Sequence, residues 1–570
     1  MQFVCNGSQV EVDAAPGESL LSVLREQLGI MSAKDGCSPQ GQCGCCTVLV
    51  DGDARVACVT PALRVAGRSV TTVEGLERAT RDTFADSFVA VGGSQCGFCT
   101  PGIVMRAVAL AAKGKTRRTD LDRALAAHLC RCTGWQTVYD AVEDARRTIG
   151  TSDRAARPSG AASERARLEG GVPQRVGRGV PLGTGGFADD DAPRTAVVAV
   201  PLPPGSAAQS VAAAGLQWVV ADTLLEARVI AGKVQGRRTT IDSAAPLALP
   251  DCPDGGVRLA TGWVEPAYLE PDASWCEPGG EPASPLANGG AFGGKAKSPA
   301  PAAARELADH LGRAVRVVFA REDVVRLGPK RPPIAAWARY ADGVVRVEGV
   351  VAGDLAPFLA PLEWPYRIEE RATWERVTVA GPPTSSALRA VGLAERALLV
   401  EGALTQAGAD RLTLVRDDRV AATLLDTCAV AASGALAGAR VHTDARGGVD
   451  RIDVRVAAGD PLDEIVLRSY AIGAAHMALG WVLTEGLTVD AVNGEIHDLT
   501  IRSFGIVRAK DMPELGVEIV DDPGAARAHC SDAVFAAVAA ATWNAVTVAD
   551  AARPEMLPAR GTRAARVLRG

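Results

Sequence analysis

The feature that most constrains this chain is a group of four cysteines, arranged as two pairs between residues 96 and 132. The first pair lies in Cys96-Gly-Phe-Cys99 and the second in Cys130-Arg-Cys132, with a stretch of helical periodicity between them. Four thiolates held on short turns beside helix ends suit a tetrahedral sulfur site, which holds either zinc or an iron–sulfur cluster. The spacing of this quartet alone does not decide between the two.

A second quartet upstream favours iron and sulfur. It comprises Cys37, Cys43, Cys46 and Cys58, whose close-spaced trio and distant fourth cysteine follow the plant-type [2Fe–2S] spacing, except that five residues rather than four separate Cys37 from Cys43. The loop is rich in glycine, which lets backbone N–H groups approach inorganic sulfides without obstruction by side chains. Two adjacent quartets predict an electron relay.

Two further residues lie close enough to the quartets to replace a ligand. Cys45 stands between Cys43 and Cys46, and we interpret it as a bystander, with exchange for a neighbouring ligand as the alternative. His128 precedes Cys130 by two residues and would be a ligand in a Rieske-type site, although four cysteines already complete the quartet.

Composition bears on the cellular setting of these cysteines. The chain has 14 cysteines, and its start, Met-Gln-Phe-Val-Cys, has neither the basic region nor the apolar region of a secretory signal, so a disulfide framework is disfavoured. The net charge is −6 with mixed signs, and neither a nucleic-acid footprint nor a polybasic membrane patch is present. No uninterrupted apolar run is long enough to span a bilayer, and the alanine-rich stretch Ala533 to Ala552 is predicted to be a packed helix. We therefore expect a cytoplasmic protein.

The N-terminal segments match a known arrangement. An Asn6-Gly7 turn predicts a hairpin over residues 3–12, and a helix is predicted over Leu20 to Leu28. Together with the two quartets, they resemble the paired iron–sulfur domains of the molybdenum hydroxylase (xanthine oxidase and aldehyde oxidase) family. The resemblance implies a β-grasp plant-type ferredoxin domain at residues 1–76 and a helical-bundle [2Fe–2S] domain at 77–150.

The remaining chain is predicted to contain a linker and two further domains. Residues 151–172 lack apolar periodicity and are predicted to be the linker. Strand-like runs at 195–202 and 216–221, followed by a helix at 224–232, resemble the small hammerhead-like α/β domain of the family, placed at 173–255. Residues 256–570 resemble a shortened molybdopterin-binding domain. The expected fold class is thus multidomain α+β with α/β domains in the molybdenum-like part.

A glycine-rich loop at residues 288–295 is the main motif of that part. It fits most of a Walker A loop, but Ala296 stands where Ser or Thr would bind Mg²⁺, and no strand leads into it. A simple turn before a helix at 301–311 is another interpretation. By resemblance the loop is the family's molybdopterin loop, and the resemblance implies these cofactor contacts: Gln95, Gly289, Gly290, Phe292, Gly293, Gly294 and Arg389. For Arg389, the alternative is the start of an ordinary capped helix at 394–406.

Three departures from the family weigh against an active molybdenum centre. Residues 151–570 are fewer than the family devotes to its molybdenum portion, and the loop whose glutamine supports the metal's oxo group has no counterpart. The catalytic glutamate, the base that deprotonates metal-bound water, is replaced by Cys530 when the chain is read forward from Gly524-Ala525. His529 and Asp532 are the weaker substitutes.

The two quartets predict an oxidoreductase component with two [2Fe–2S] clusters, and the resemblance implies that it passes electrons between a molybdenum centre and a flavin or other acceptor. The expected partners are a flavin-containing subunit or another electron acceptor and a catalytic molybdenum subunit, without nucleic acid or membrane. One alternative is a small self-contained molybdopterin hydroxylase of an aldehyde or N-heterocycle. The other is a structural docking subunit of a larger hydroxylase complex.

Overall fold

The structure is a computed structural model, and it describes residues 1–115, 117–148, 159–234, 245–285, 291 and 293–569. It contains four β-sheets, each built from four or five strands, and helices that pack between them. The multidomain α+β prediction is confirmed. Gly289, Gly290 and Phe292 lie outside the described residues.

The first sheet forms the ferredoxin-type unit. Its strand order is β2-β1-β5-β3-β4, with β1 parallel to β5 and the other neighbours antiparallel. The predicted hairpin is the β1–β2 pair, and the predicted helix begins as α1 and widens into a π-helical turn at Val23–Gln27. The bounds are β1 Gln2–Cys5, β2 Ser8–Glu11, α1 Leu20–Ser22, β3 Thr47–Val50, β4 Asp53–Val56 and β5 Ser69–Thr71.

Helices form the second unit. They are α2 Arg78–Ala90, α3 Thr100–Ala112, α4 Arg118–Leu125 and α5 Gln136–Thr148. Helix α3 begins directly after Cys99 with Pro101 in its first turn, where the missing N–H of proline costs nothing. The helical periodicity between the two cysteine pairs thus corresponds to α3 and α4, and α4 ends at Leu125, so Cys130 follows an irregular turn.

The segment predicted to be a linker contains a helix, α6 Ser159–Gly170. Its buried positions are Ala162, Arg165, Ala166 and Glu169, which recur at helical spacing. Because two of these four residues are charged and two are alanines, hydrophobic periodicity did not reveal the helix. The linker bounds themselves, 151–172, remain a prediction.

The second sheet has the order β10-β11-β6-β8-β7. The bounds are α7 Ala188–Asp191, β6 Val197–Pro201, β7 Val211–Ala213, β8 Leu216–Ala221, α8 Leu224–Ala231, β10 Ala273–Cys276, α9 Ala300–Leu311, β11 Val315–Val318 and α10 Arg321–Leu327. The sheet therefore includes strands from both sides of the predicted domain boundary at residue 255. That boundary stays a prediction.

The third and fourth sheets enclose the largest apolar core. Their orders are β14-β13-β12-β9-β19 and β15-β16-β17-β18. The strands are β9 Val257–Thr261, β12 Ile334–Ala341, β13 Val344–Val351, β14 Glu369–Arg376, β15 Thr427–Val430, β16 Leu436–Thr443, β17 Val449–Ala457, β18 Glu514–Ile519 and β19 Met556–Leu557. The helices are α11 Ala356–Leu359, α12 Arg389–Gln406, α13 Arg411–Leu414, α14 Asp418–Thr423, α15 Glu464–Leu483, α16 Cys530–Asp550 and α17 Arg563–Arg569. Helix α16 packs against α12, α15 and β16, so it lies at the centre of this core.

Judged by length and composition alone, two of these helices, α15 and α16, are long and apolar enough to cross a membrane. In the fold, however, 89% of the most apolar stretch of α15 and 72% of that of α16 are buried inside the protein. They are therefore core helices of this structure, as predicted for the alanine-rich stretch. Between α15 and β18, a single antiparallel bridge joins Val489 and Ile496.

Candidate metal centres

The structure brings the upstream four cysteines together inside the ferredoxin-type unit. Cys37, Cys43, Cys46 and Cys58 are each at most 4% exposed. Cys37 interacts with the sulfurs of Cys43 and Cys58, and Cys46 interacts with that of Cys58. Gly36 allows this closeness, because a Cβ atom there would lie 3.1 Å from the Cys43 Sγ atom.

Backbone N–H groups point at these sulfurs. Gln40 N–H donates to Cys37 Sγ at 3.3 Å, and Cys58 N–H donates to Cys46 Sγ at 3.3 Å. Hydrogen bonds to the sulfurs of Cys43 and then Cys58 hold the pKa of Cys37 well below its usual range. Such bonds favour the thiolate form, which is the form that binds metal.

The downstream four cysteines also meet in pairs. The Sγ atoms of Cys96 and Cys132 are 3.5 Å apart, and the sulfur of Cys99 interacts with that of Cys130. The hydrogen bond with Cys99 lowers the pKa of Cys130 to about 6, and the Thr133 hydroxyl, 3.0 Å from Cys130 Sγ, acts in the same direction. Cys99 stands at the N-terminus of α3, where the helix dipole favours negative charge.

This donor set fits a [2Fe–2S] cluster at each quartet. Soft thiolates select zinc or iron–sulfur clusters, and a two-iron cluster takes protein sulfurs in pairs, as both quartets offer them. Among the described residues, no group of three or more His, Cys, Asp and Glu side chains is arranged around a point that could hold a single metal ion.

The two other candidate ligands are both buried. Cys45 is fully buried, and its sulfur interacts with that of Cys43. The ring of His128 packs against Gly44, and its Nε2 atom lies 3.2 Å from the Thr47 hydroxyl. Burial lowers the pKa of His128 to about 3, so its ring is neutral.

The two quartets are joined by backbone contacts. Leu129 N–H donates to the carbonyl oxygen of Cys43 at 3.0 Å, which links the residue before Cys130 directly to the upstream loop. Gly102 in α3 lies against the same loop, since a Cβ atom there would be 2.3 Å from the Gly44 oxygen. The loops that carry the two sulfur sites are therefore in direct backbone contact.

The downstream quartet is also in contact with the molybdenum-like part. Gln95 donates to the Cys132 oxygen at 2.8 Å and to the Ser469 hydroxyl of α15 at 3.1 Å. Arg131, between two of the cysteines, forms a buried bidentate ion pair with Glu485, with Nη2 2.7 Å from Oε2. Sequence reasoning missed Glu485, because an isolated glutamate carries no signal of its partner.

A packing prediction follows from the contact between α15 and the Cys132 loop. A Cβ atom at Gly473 would lie 1.8 Å from the Cys132 oxygen, so we expect Gly473→Ala to force the helix away and to lower stability by about 1–3 kcal/mol. Gly160→Ala is the matched control, because it lies in α6 with open space around it and should change stability by less than about 1 kcal/mol. Urea denaturation of the metal-loaded proteins measures both. Equal midpoints for the two variants would contradict the tight contact.

The structure brings four of the predicted molybdenum-site residues together as well. Arg389 pairs with Asp532, with Nε 3.0 Å from Oδ2, and its Nη2 atom lies 3.1 Å from His529 Nδ1. A Cβ atom at Gly293 would lie 2.0 Å from the Ala387 oxygen, so the described end of the glycine loop backs onto the segment that leads into Arg389. Gln95 is not part of this group: it binds Ser469 of α15 and shares a cavity with Ala166 of α6.

The chemistry of Cys530 does not suit a general base. The thiol is fully buried at the start of α16, and burial raises its pKa well above the usual range. His529 adopts a left-handed conformation with φ 56°, and burial raises the pKa of Asp532 despite its pairing with Arg389. Cys530 therefore does not replace the carboxylate that the family places here, and the roles of His529 and Asp532 stay predictions.

The space beside Gln95 does not fit a pyranopterin. The cavity beside Gln95 has a volume of about 20 Å³, about the size of one water, whereas ligand pockets measure roughly 300–1,000 Å³. Arg165 and Glu169 of α6 are fully buried, and Glu169 accepts a hydrogen bond from the Ser531 N–H at the start of α16. Lys295, the last residue of the glycine loop, is buried in an ion pair with Glu270, whose pKa burial raises to about 7.

Comparison with known proteins identifies the iron–sulfur part. A 2Fe-2S iron-sulfur cluster binding domain matches residues 3–63, and a [2Fe-2S] binding domain matches residues 72–143. The xanthine dehydrogenase iron-sulfur-binding subunit of Escherichia coli O157:H7 is 41% identical over 152 residues, which are 26% of this chain and 94% of that protein. The nicotine 6-hydroxylase small subunit of Paenarthrobacter nicotinovorans is 38% identical over 149 residues, 26% of this chain and 90% of that subunit.

A structural comparison extends over the whole chain. The aldehyde oxidoreductase of Desulfovibrio gigas has a TM-score of 0.74 and covers 100% of both chains, at 17% sequence identity. That identity establishes the fold alone. The predicted molybdenum-hydroxylase-like architecture of the later domains is thereby confirmed.

Proposed function

This chain belongs to the molybdenum hydroxylase family of oxidoreductases, and from that premise we propose that it is the electron-transfer component of a hydroxylase. Its two [2Fe–2S] clusters would pass single electrons between a partner's molybdenum centre and a flavin or other acceptor. The observation that carries the proposal is the pair of buried sulfur quartets, linked by the Leu129 to Cys43 hydrogen bond. We assign Cys37, Cys43, Cys46 and Cys58 to one cluster and Cys96, Cys99, Cys130 and Cys132 to the other.

Each cluster would face a different partner. The downstream quartet adjoins α15 of the molybdenum-like part, so electrons would enter there. Val59 and Leu63, which are 56% and 52% exposed, flank the turn that carries Cys58 and offer an apolar surface to an acceptor subunit. A flavin-containing subunit in the cytoplasm would suit this role, as would another electron acceptor.

One observation favours the self-contained hydroxylase as a second candidate, namely the convergence of Arg389, Asp532 and His529 beside Gly293. The absence of a suitable base at Cys530 argues against it. A docking role for the molybdenum-like part is compatible with the relay.

Metal analysis of anaerobically purified, iron-replete protein tests the proposal. We expect about four iron atoms per chain, two for each cluster, no stoichiometric molybdenum, and two [2Fe–2S] signals in low-temperature EPR after reduction. Bound zinc or a missing reduced [2Fe–2S] signal would refute the relay. One molybdenum per chain would favour the self-contained hydroxylase, and co-purification with a longer hydroxylase subunit would add the docking role.

A further inference from the structure

Helix α6 contacts both α15, whose Ser469 binds Gln95, and the start of α16, which carries Asp532. On one side, Ala162 and Ala166 pack against Val466 and Tyr470 of α15. Towards α16, Arg165 and Glu169 form an ion pair with no exposed side-chain surface, 2.6 Å between Nη2 and Oε1. Charged side chains are almost never fully buried without a specific partner, so the contacts of this pair define what the helix does.

Glu169 binds the N-terminus of α16. Its Oε2 atom accepts hydrogen bonds from the Ser531 N–H at 2.9 Å and from the Ser531 hydroxyl at 2.7 Å. The first turn of a helix presents free N–H groups and the positive end of the dipole, which together bind anions. A carboxylate from the chain itself therefore occupies an anion site at the start of the 21-residue core helix.

The backbone around this anion site is fixed by α6 as well. Arg165 Nη2 donates to the Arg527 oxygen at 2.6 Å, and the His529 N–H donates to the Leu168 oxygen at 3.1 Å. Two other nitrogens of Arg165, Nε and Nη1, are buried and have no acceptor among the described residues. If Glu169 were removed, the Ser531 donors and the Arg165 guanidinium would face the vacated space.

We infer that helix α6 closes the molybdenum-like part to an external cofactor, and we call it the plug. In this role, Glu169 acts as the chain's own anionic ligand for the N-terminus of α16. The vacated site would accept a small carboxylate, because two hydroxyl or amide donors and a guanidinium are the groups that bind one. This inference deepens the proposed relay, since it explains why the chain would depend on a partner for molybdenum. Its readout is separate from the cluster signals.

The test is chemical rescue of Glu169→Ala in the full, metal-loaded chain. We expect Glu169→Ala to lower the melting temperature by several degrees, and sodium formate to restore it in a concentration-dependent way. Sodium chloride at equal ionic strength and neutral formamide should not restore the melting temperature. Glu164→Ala is the matched control, because Glu164 lies on the exposed face of the same helix, 46% exposed, and forms an exposed ion pair with Arg167. It should neither lose much stability nor respond specifically to formate.

Equal responses to formate in Glu169→Ala and Glu164→Ala would overturn the inference, as would stoichiometric molybdopterin in the unaltered chain. If Glu169→Ala does not fold, Glu169→Gln and Glu164→Gln compare the loss of the buried carboxylate charge with the loss of the exposed one. Equal melting temperatures of these two variants would refute the inference. The EPR signals of both clusters should persist in every variant that folds. If the unaltered protein lacked these EPR signals, the proposed relay would be refuted. The response of Glu169→Ala to formate would still decide whether α6 acts as the plug.

Discussion

Replacement of Cys99 by alanine is expected to remove one of two [2Fe–2S] signals and about half of the iron, from about four to about two atoms per chain. Cys99 is buried in the downstream quartet and interacts with Cys130, so its loss leaves one iron with an incomplete set of thiolates. Electron transfer from a reduced hydroxylase partner to a flavin acceptor should then stop, because the relay is interrupted in the middle. Iron quantification, EPR of the dithionite-reduced protein and stopped-flow reduction of the acceptor measure the three effects.

Cys45→Ser is the matched control for this experiment. Cys45 is as deeply buried as the proposed ligands and interacts with the Cys43 sulfur, but each quartet is complete without it. We expect both signals and the full iron content to remain. Cys46→Ala should abolish the other signal, which tests the assignment of each quartet to its own cluster. Loss of iron in Cys45→Ser with retention in Cys46→Ala would reverse the ligand assignment at this loop.

The iron–sulfur part was predictable from sequence because its determinants are local. The Cys43–Cys46 spacing and the Asn6-Gly7 turn act over a few residues, and the hairpin and most of the helices were found where they were expected. The extra residue between Cys37 and Cys43 does not prevent the sulfurs from meeting, because Ser38 and Gly41 both adopt positive φ angles within that loop.

The molybdenum-like part was less predictable because its determinants are not local. Helix α6 is held by contacts from Arg165 and Glu169 to residues more than 360 positions away, and nothing in the segment itself indicates them. The second sheet likewise joins β6 to β11 across the predicted boundary at residue 255. A pattern of residues marks an apolar face, but it does not reveal which buried charge finds which partner.

The Arg131–Glu485 ion pair illustrates the same point and supports the second large prediction. The pair is buried, with 6% and 2% of the two side chains exposed, and it joins the turn between Cys130 and Cys132 to the residues after α15. Glu485→Ala would leave the guanidinium buried without its counter-charge, beside the second cluster. Removal of one partner of a buried pair costs about 3–5 kcal/mol. We expect a loss of that size in chemical denaturation, together with a changed reduction potential of the second cluster.

Two comparisons separate this effect from a general sensitivity to lost charge. Glu514→Ala removes an exposed partner of Arg451, 69% exposed, and should cost less than about 1 kcal/mol. The double variant Arg131→Met with Glu485→Leu removes both charges and keeps much of the volume, so it should recover most of the stability, because the desolvation cost of the pair disappears along with its attraction. If the double variant is as unstable as Glu485→Ala, then shape rather than charge holds this junction. If it recovers stability but not the original potential, then the guanidinium of Arg131 contributes to the redox properties of the cluster that it adjoins.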